Sequence, residues 1–489
     1  MKVLGVRKLR VMAATITVGA LVASGMFSGA HALPMPGMSA VPVAPESPGL
    51  PDSPGLPSWP DPTDSDESDG SDTDQPATQP SKVSPTTGRD FTQISPGKMG
   101  SWPTRPSRAS SAGRVLASEP VNIWPTSGTW QATAQRFTYT STDSLGNPSV
   151  DRALYIEPRK PWKGEGSRPV VAIAPGTQGT GEQCDPSNSH VAGPALETNP
   201  PNMILPYETV PIALHLARGA AVVIIDHHRN PETGAQEYVD NIASGQSLLD
   251  AAKATQDFGV DSAAPIAIYG YSQGGSASGA AAEMADYYAP ELNIKANAVG
   301  ALPSNLFDVL ETVDGGLLAG VLGYAIDGTL SKDPELQEYL YSKHMSEKGR
   351  EIIANNNRVC IGGSLLVTGY RSTRELTKTG ESLAELIDQY PPVVTELQRQ
   401  RLGKSAPQAP TLLWGGVGDD VIPIQQIRDL RDDWRGHGGN VQYFENELPL
   451  VPGNTAIGHI IPMLAHLDYV STWIWDQLDP NGVTKPNWK

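Results

Sequence analysis

Cysteine is almost missing from this chain: its 489 residues include two, Cys184 and Cys360. Such a pair leaves room for one disulfide, which an oxidising compartment favours over two free thiols. No cysteine lies near residue 32, which argues against a lipid-modified N-terminus. Basic charge is scarce as well, with 36 Lys and Arg against 53 Asp and Glu and a net charge of −17. No basic stripe is present, so a nucleic-acid partner is not expected. Long apolar runs are lacking. Val11–Ala23 and Gly315–Gly328 are apolar, but both are too short to cross a bilayer. His227 and His228 stand in tandem, yet no third ligand is spaced to complete a metal site. Neither a metal nor an organic cofactor is implied.

The N-terminus is built for export. Lys2, Arg7, Lys8 and Arg10 precede the Val11–Ala23 run, and Ala30-His31-Ala32 is a small-x-small cleavage site. Residues 1–32 therefore read as a signal peptide, and the mature protein is expected outside the cell with no transmembrane segment. Residues 33–114 read as a disordered tether. Its first part repeats Ser47-Pro48-Gly49-Leu50-Pro51 as Ser53-Pro54-Gly55-Leu56-Pro57, and Leu33 to Ser81 carries nine acids and no Lys or Arg. Such a segment buries too little apolar surface to offset chain entropy, and its like charges keep it extended. Removing the leader's four cations takes the net charge from −17 to −21, and removing the nine tether acids returns it to −12. The remaining body is acidic without being extreme.

From 115 to 489 strand-like and helical runs alternate. Strands are expected at Phe137–Thr140, Ala153–Ile156, Val170–Ala174, Ala221–Ile225, Ile266–Tyr269, Ala296–Ala301, Thr411–Trp414 and Val441–Phe444. Helices are expected at Thr209–Arg218, Ser244–Gln256 and Gly279–Ala289. That order predicts an α/β fold with a mostly parallel, doubly wound sheet. The alternation stops at about 302–408, where helical patterns such as Pro334–Tyr341, Glu347–Asn355 and Arg374–Gln389 predict an inserted cap. Within it, Gly315–Gly328 reads either as a buried cap helix packed on the sheet or as a mobile lid or acyl-binding wall facing lipid.

One pentapeptide in this frame carries chemistry. Ile266–Tyr269 runs into Gly270-Tyr271-Ser272-Gln273-Gly274, a G-x-S-x-G between strand and helix. That context makes a strained elbow that lifts the serine hydroxyl clear of the sheet, so Ser272 is the candidate nucleophile. A serine needs a base and a group to orient the base, arriving later in the order Ser, Asp or Glu, His. Asp419 and Asp420 follow the Thr411–Trp414 strand on a glycine-rich loop, and either can serve physically. The D-x-x-I-P context favours Asp419. His459, opening the last helical pattern, is the candidate base, with His466 reading as an ordinary helix residue. Oxyanion donors are expected from the backbone of Gln273 and from Thr177, in the Pro175-Gly176-Thr177-Gln178-Gly179 turn after Val170–Ala174.

Taken together these segments resemble the secretory lipase family of α/β-hydrolases. The resemblance rests on Phe137–Pro148, Pro175–Gly179 with Cys184, Gly270–Gly274, Gly418–Pro423 and Gly458-His459. It implies an α/β-hydrolase fold whose catalytic serine, aspartate and histidine are Ser272, Asp419 and His459. It further implies a disulfide from Cys184 to Cys360 and an acyl-shielding cap before Thr411. Asp226-His227-His228-Arg229 and Gln236-Glu237-Tyr238 depart from the family pattern, as does the acidic tether. The expected activity is secreted carboxylester hydrolysis of the triacylglycerol lipase type, on a lipid or ester substrate reached at a lipid–water interface through the cap. The alternatives are a cell-envelope acyltransferase and an inactive hydrolase-like surface binding protein.

Overall fold

Apolar residues of the central strands run uninterrupted, as strands covered on both faces require. In the computed structural model, which describes residues 108–109, 111–125, 131–479 and 481, every residue of Val170–Ala174 and Ala221–Ile225 is buried. The expected signal peptide and nearly all of the expected tether lie outside the described residues. The strands are β1 (Val115–Val121), β2 (Ala132–Thr142), β3 (Pro148–Pro158), β4 (Val170–Ala174), β5 (Ala195–Thr198) and β6 (Pro201–Ile204), then β7 (Ala221–Ile225), β8 (Ile266–Tyr271), β9 (Ile294–Gly300), β10 (Thr411–Gly416) and β11 (Val441–Asn446). Nine of them form one sheet in the order β1-β2-β3-β7-β4-β8-β9-β10-β11, while β5 and β6 pair as a separate hairpin. The first three strands and β7 are joined antiparallel; from β7 to β11 every pairing is parallel. This is the α/β-hydrolase fold.

Alternation along each strand divides the core in two. On one face Ala172, Val223 and Ile268 pack with Leu248 and Ala277 of helices Asn241–Ala254 and Gln273–Tyr288. On the other, Ile173, Ile224 and Tyr269 meet Ile212 and Ile474 of helices Thr209–Arg218 and Leu467–Leu478. The strands end together at the edge where the site lies.

Between β9 and β10 the chain makes helices Leu306–Val313, Gly320–Leu330, Glu347–Asn357, Ile361–Val367, Leu383–Asp388 and Pro391–Gln400 among other turns. The continuous helix expected at Arg374–Gln389 is not formed. A short turn at Thr373–Glu375 ends, Gly380 takes φ +78°, and Ser382 starts a new helix with a capping box to Glu385. Two of the ties between the cap and the core are a disulfide and an ion pair. Cys184 and Cys360 form a disulfide across 176 positions. Lys332 donates to Asp240 Oδ2 at 2.5 Å, and that aspartate also accepts the Ala243 N–H as the cap of helix Asn241–Ala254.

Contacts with the body begin before the expected boundary at 115. Arg108 Nε bonds to Asp250 Oδ1 at 3.0 Å, Ala109 N–H donates to Thr142 Oγ1, and Ala112 is buried. Asp250 carries no exposed side-chain surface, so a cation reaching it must be part of the folded unit.

Candidate active site

β8 enters a turn too tight for side chains. Ser272 has φ 59° and ψ −123° at the N-terminus of helix Gln273–Tyr288. A Cβ on Gly270 would lie 2.1 Å from the Gly274 carbonyl oxygen, and one on Gly274 would lie 2.0 Å from that of Ala174. Glycine at both positions is therefore a steric requirement, and the strained serine is the outcome.

Ser272 Oγ sits 2.9 Å from His459 Nε2, and His459 Nδ1 sits 2.8 Å from Asp419 Oδ2. Asp419 Oδ1 accepts the N–H groups of Val421 and Ile422 at 2.9 and 2.8 Å, which holds the carboxylate still. The imidazole is set from behind: Tyr271 donates its hydroxyl to the His459 carbonyl at 2.8 Å. The helix carrying His459 also lies close to the acid loop, for a Cβ on Gly458 would sit 1.8 Å from the Gly418 carbonyl. Asp420 turns elsewhere and accepts the Ala456 N–H at 2.8 Å. His466 bonds to Asn446 and does not reach the serine's partners.

Thr177 and Gln273 line the same cavity as Ser272 and His459. The Thr177 hydroxyl shares a 2.7 Å hydrogen bond with Tyr238, and Tyr207 donates to the Thr177 carbonyl at 2.9 Å. Gly176 N–H donates to Glu208 Oε1 at 2.9 Å. Burial pushes the Glu208 carboxyl up to about 7. The cavity has a volume of about 570 Å³, and the cap supplies most of its wall, including Leu310, Leu318, Leu322, Ile326 and Leu386. In the segment Gly315–Gly328, Leu317, Leu322, Tyr324 and Ile326 are buried, and Leu318, Val321, Leu322 and Ile326 line the cavity.

The tandem histidines hold structure near the site. His227 donates through Nε2 to the Pro175 carbonyl at 2.8 Å, and burial lowers its pKa to about 4, leaving it neutral. His228 lies 2.8 Å from Asp151; burial alone would lower its pKa, but Asp151 and Glu237 outweigh it and raise the ring to about 9. Among the described residues no group of three or more His, Cys, Asp and Glu side chains is placed to hold a metal.

A model of secretory lipases matches residues 198–485, more than half of the chain. The chain belongs to the secretory lipase family. The secreted triacylglycerol lipase LIP4 of Malassezia globosa is 28% identical over 335 residues, covering 66% of this chain and 68% of that protein. Lipase 1 of Candida albicans is 27% identical over 368 residues, covering 71% and 72%. A Mycobacterium tuberculosis relative, named "Probable inactive lipase MT1628", is 26% identical and covers 64% and 68%. Among solved structures, Candida antarctica lipase A shares the fold with a TM-score of 0.63 at 20% identity, covering 78% of this chain and 86% of that one. The rice cell wall degrading esterase LipA of Xanthomonas oryzae has a TM-score of 0.59 at 17% identity, covering 75% and 99%. As a member of the secretory lipase family the protein is a serine ester hydrolase by class.

The residues that sequence reasoning missed are those that hold the Pro175–Gly179 turn. Tyr207 and Glu208 meet it only through the fold, and neither lies in a motif; His227, which bonds to the Pro175 carbonyl, stands in a segment that departs from the family pattern. Tyr238 was visible as a departure from the family pattern, and it reaches Thr177 directly.

Proposed function

We propose that this protein is a secreted triacylglycerol lipase that works through an acyl-enzyme on Ser272. The observation that carries the reading is the hydrogen-bonded series Asp419–His459–Ser272 at the base of an apolar cavity. Ser272 Oγ attacks the ester carbonyl as its proton passes to His459 Nε2, while Asp419 holds the Nδ1–H and stabilises the imidazolium. The backbone N–H groups of Thr177 and Gln273 receive the charge on the carbonyl oxygen. Collapse expels the alcohol with the proton from His459. Water then gives a proton to His459 as it attacks the acyl carbonyl, the acyl–Oγ bond breaks while His459 returns that proton to Ser272 Oγ, and the fatty acid leaves.

The cavity's size lies within the range of sites that enclose small molecules, and its leucine-rich wall suits an acyl chain. The cap is then the part that meets a lipid–water interface. An extracellular location is supported by the N-terminal leader pattern and by the names of the fungal relatives. No helix among the described residues is long and apolar enough to cross a membrane.

The test is hydrolysis of p-nitrophenyl esters from acetate to palmitate, with Ser272→Ala beside the wild type. The expected outcome is a preference for long chains and a loss of at least about 10⁴-fold in kcat for Ser272→Ala, without unfolding. Serine-dependent activity confined to short chains would make it an esterase. Loss of ester turnover with an added alcohol taking the acyl group would favour acyl transfer. Failure of the wild type on every ester, with no labelling of Ser272 by a fluorophosphonate, would favour an inactive, hydrolase-like surface binding protein.

A further inference from the structure

Several buried carboxylates among the described residues have a cation. Asp250 has Arg108, Asp185 has Arg229, and Asp240 has Lys332. Glu208 has none. It is 2% exposed, and no Lys, Arg or His pairs with it among the described residues. The groups that feel its charge are Tyr207 and Tyr269. The one hydrogen bond to its carboxyl among the described residues comes from Gly176 N–H at 2.9 Å. A carboxyl buried this way costs stability. Such departures from the ordinary rules of a core are expected where a protein does its work.

Next to it in sequence, Tyr207 donates its hydroxyl to the Thr177 carbonyl at 2.9 Å. The Gly176–Thr177 peptide unit is therefore clamped on both sides, at the N–H before it and the carbonyl after it. The turn lies flat against this clamp: a Cβ on Gly176 would sit 2.7 Å from the Tyr207 hydroxyl and 3.3 Å from the Tyr271 carbonyl. The clamp itself is anchored at the start of helix Thr209–Arg218, where Thr209 Oγ1 donates to Pro206 O and Ile212 N–H to Glu208 O. The N–H inside the clamped unit is that of Thr177.

We propose that Glu208 is a positioning residue for the oxyanion side of the site: its carboxylate fixes the Gly176 N–H and, with Tyr207, aims the Thr177 N–H. This rests on the reading above in which the Thr177 N–H receives the developing charge. Donors aimed in advance lower the barrier because they need no reorganisation during reaction, so their misdirection falls on kcat more than on KM.

Three variants test it on a soluble p-nitrophenyl ester. Glu208→Gln keeps an oxygen that accepts the Gly176 N–H, Glu208→Leu removes it, and Glu208→Asp withdraws it by one methylene. The expected result is kcat within about threefold of wild type for Gln. Leu and Asp should lower kcat roughly tenfold or more while KM stays within about threefold. Should the Leu variant fail to fold, the Asp variant gives the answer, with the circular dichroism spectrum and Tm recorded for each. Wild-type kcat in a folded Leu or Asp variant would overturn the proposal. So would a change confined to KM, or a Gln variant as impaired as Leu. Ser272→Ala, run alongside, separates the two claims. If it remains active, the acyl-enzyme reading fails; if it is inactive while Leu and Asp turn over at full kcat, only the role of Glu208 fails.

Discussion

Asp419 and Asp420 are chemically identical neighbours with different surroundings. Asp419 gives one oxygen to His459 and the other to two backbone N–H groups, so both lone-pair faces are used. Asp420 supports the loop before His459 through the Ala456 N–H, and burial raises its pKa from the usual carboxylate range. Asp419→Asn should therefore lower kcat by about 10³- to 10⁴-fold, because an amide no longer stabilises the imidazolium or selects its tautomer. Asp420→Asn should keep kcat within about tenfold, since it keeps an oxygen for Ala456. Steady-state kinetics on one ester decides it, and the reverse ranking would exchange the two assignments. These residues were legible because each stands in a short local pattern: an elbow, a D-x-x-I-P loop, a Gly-His at a helix start. Glu208 was not, since its partner lies 32 positions away and a Tyr-Glu pair before a helix has no distinctive pattern.

At the scale of elements, the parallel strands were readable from their apolar runs: β4 and β7 have the expected bounds, β8, β10 and β11 run two residues further, and β9 is Ile294–Gly300 where Ala296–Ala301 was expected. The missed elements have little apolar signal. β1 is exposed along most of its length, and β5 and β6 are four residues each, with β6 beginning at a proline. Arg374–Gln389 shows the opposite failure: helical spacing on both sides of Gly380 hid the break that this glycine and Ser382 impose. The cap's attachment also depends on distant pairs. Cys360 begins helix Ile361–Val367, and its bridge to Cys184 fastens that helix beside the Pro175–Gly179 turn; the Ile361 N–H donates to the Gln178 carbonyl at 2.8 Å. Replacing both cysteines by serine reopens a loop of 176 positions in the unfolded chain, nominally roughly 5 kcal/mol in the entropic model. The expected outcome is a clearly lower Tm for the double variant, with the wild type falling to the same Tm once reduced. An unchanged Tm would show that the bridge adds nothing to the cap's hold.

For the molecule as a whole the question is where the folded unit begins. A proline- and serine-rich stretch, acidic as far as Ser81 and with a few basic residues from Lys82 to Arg114, does not fold alone, and the expected boundary at 115 lies where strand and helix patterns begin. Composition does not register a single arginine that finds a buried partner. Arg108 reaches Asp250, which also accepts hydrogen bonds from Tyr288 and Ser141, and its guanidinium lies 5.5 Å from the centre of the Tyr288 ring. Burial pushes Asp250 up to about 6, with Arg108, Tyr288 and Ser141 holding it from rising further. A chain starting at residue 107 should match the full-length protein in Tm and ester turnover. One starting at 115 loses the cation and leaves a buried carboxylate unpaired, a loss of roughly 3 kcal/mol where that carboxylate is ionised. The sign of its pH dependence follows from the raised pKa. Without Arg108 the folded-state value climbs further above the unfolded one, so the deficit grows as the pH rises above about 6 and is complete only above that higher value. It shrinks as the pH falls through about 6, because a protonated Asp250 needs no cation. Thermal unfolding of the two chains at pH 8 and pH 5 measures this directly. Equal Tm values at pH 8 would place the start of the folded unit at 115, whereas a gap at pH 8 that narrows at pH 5 would place it at Arg108.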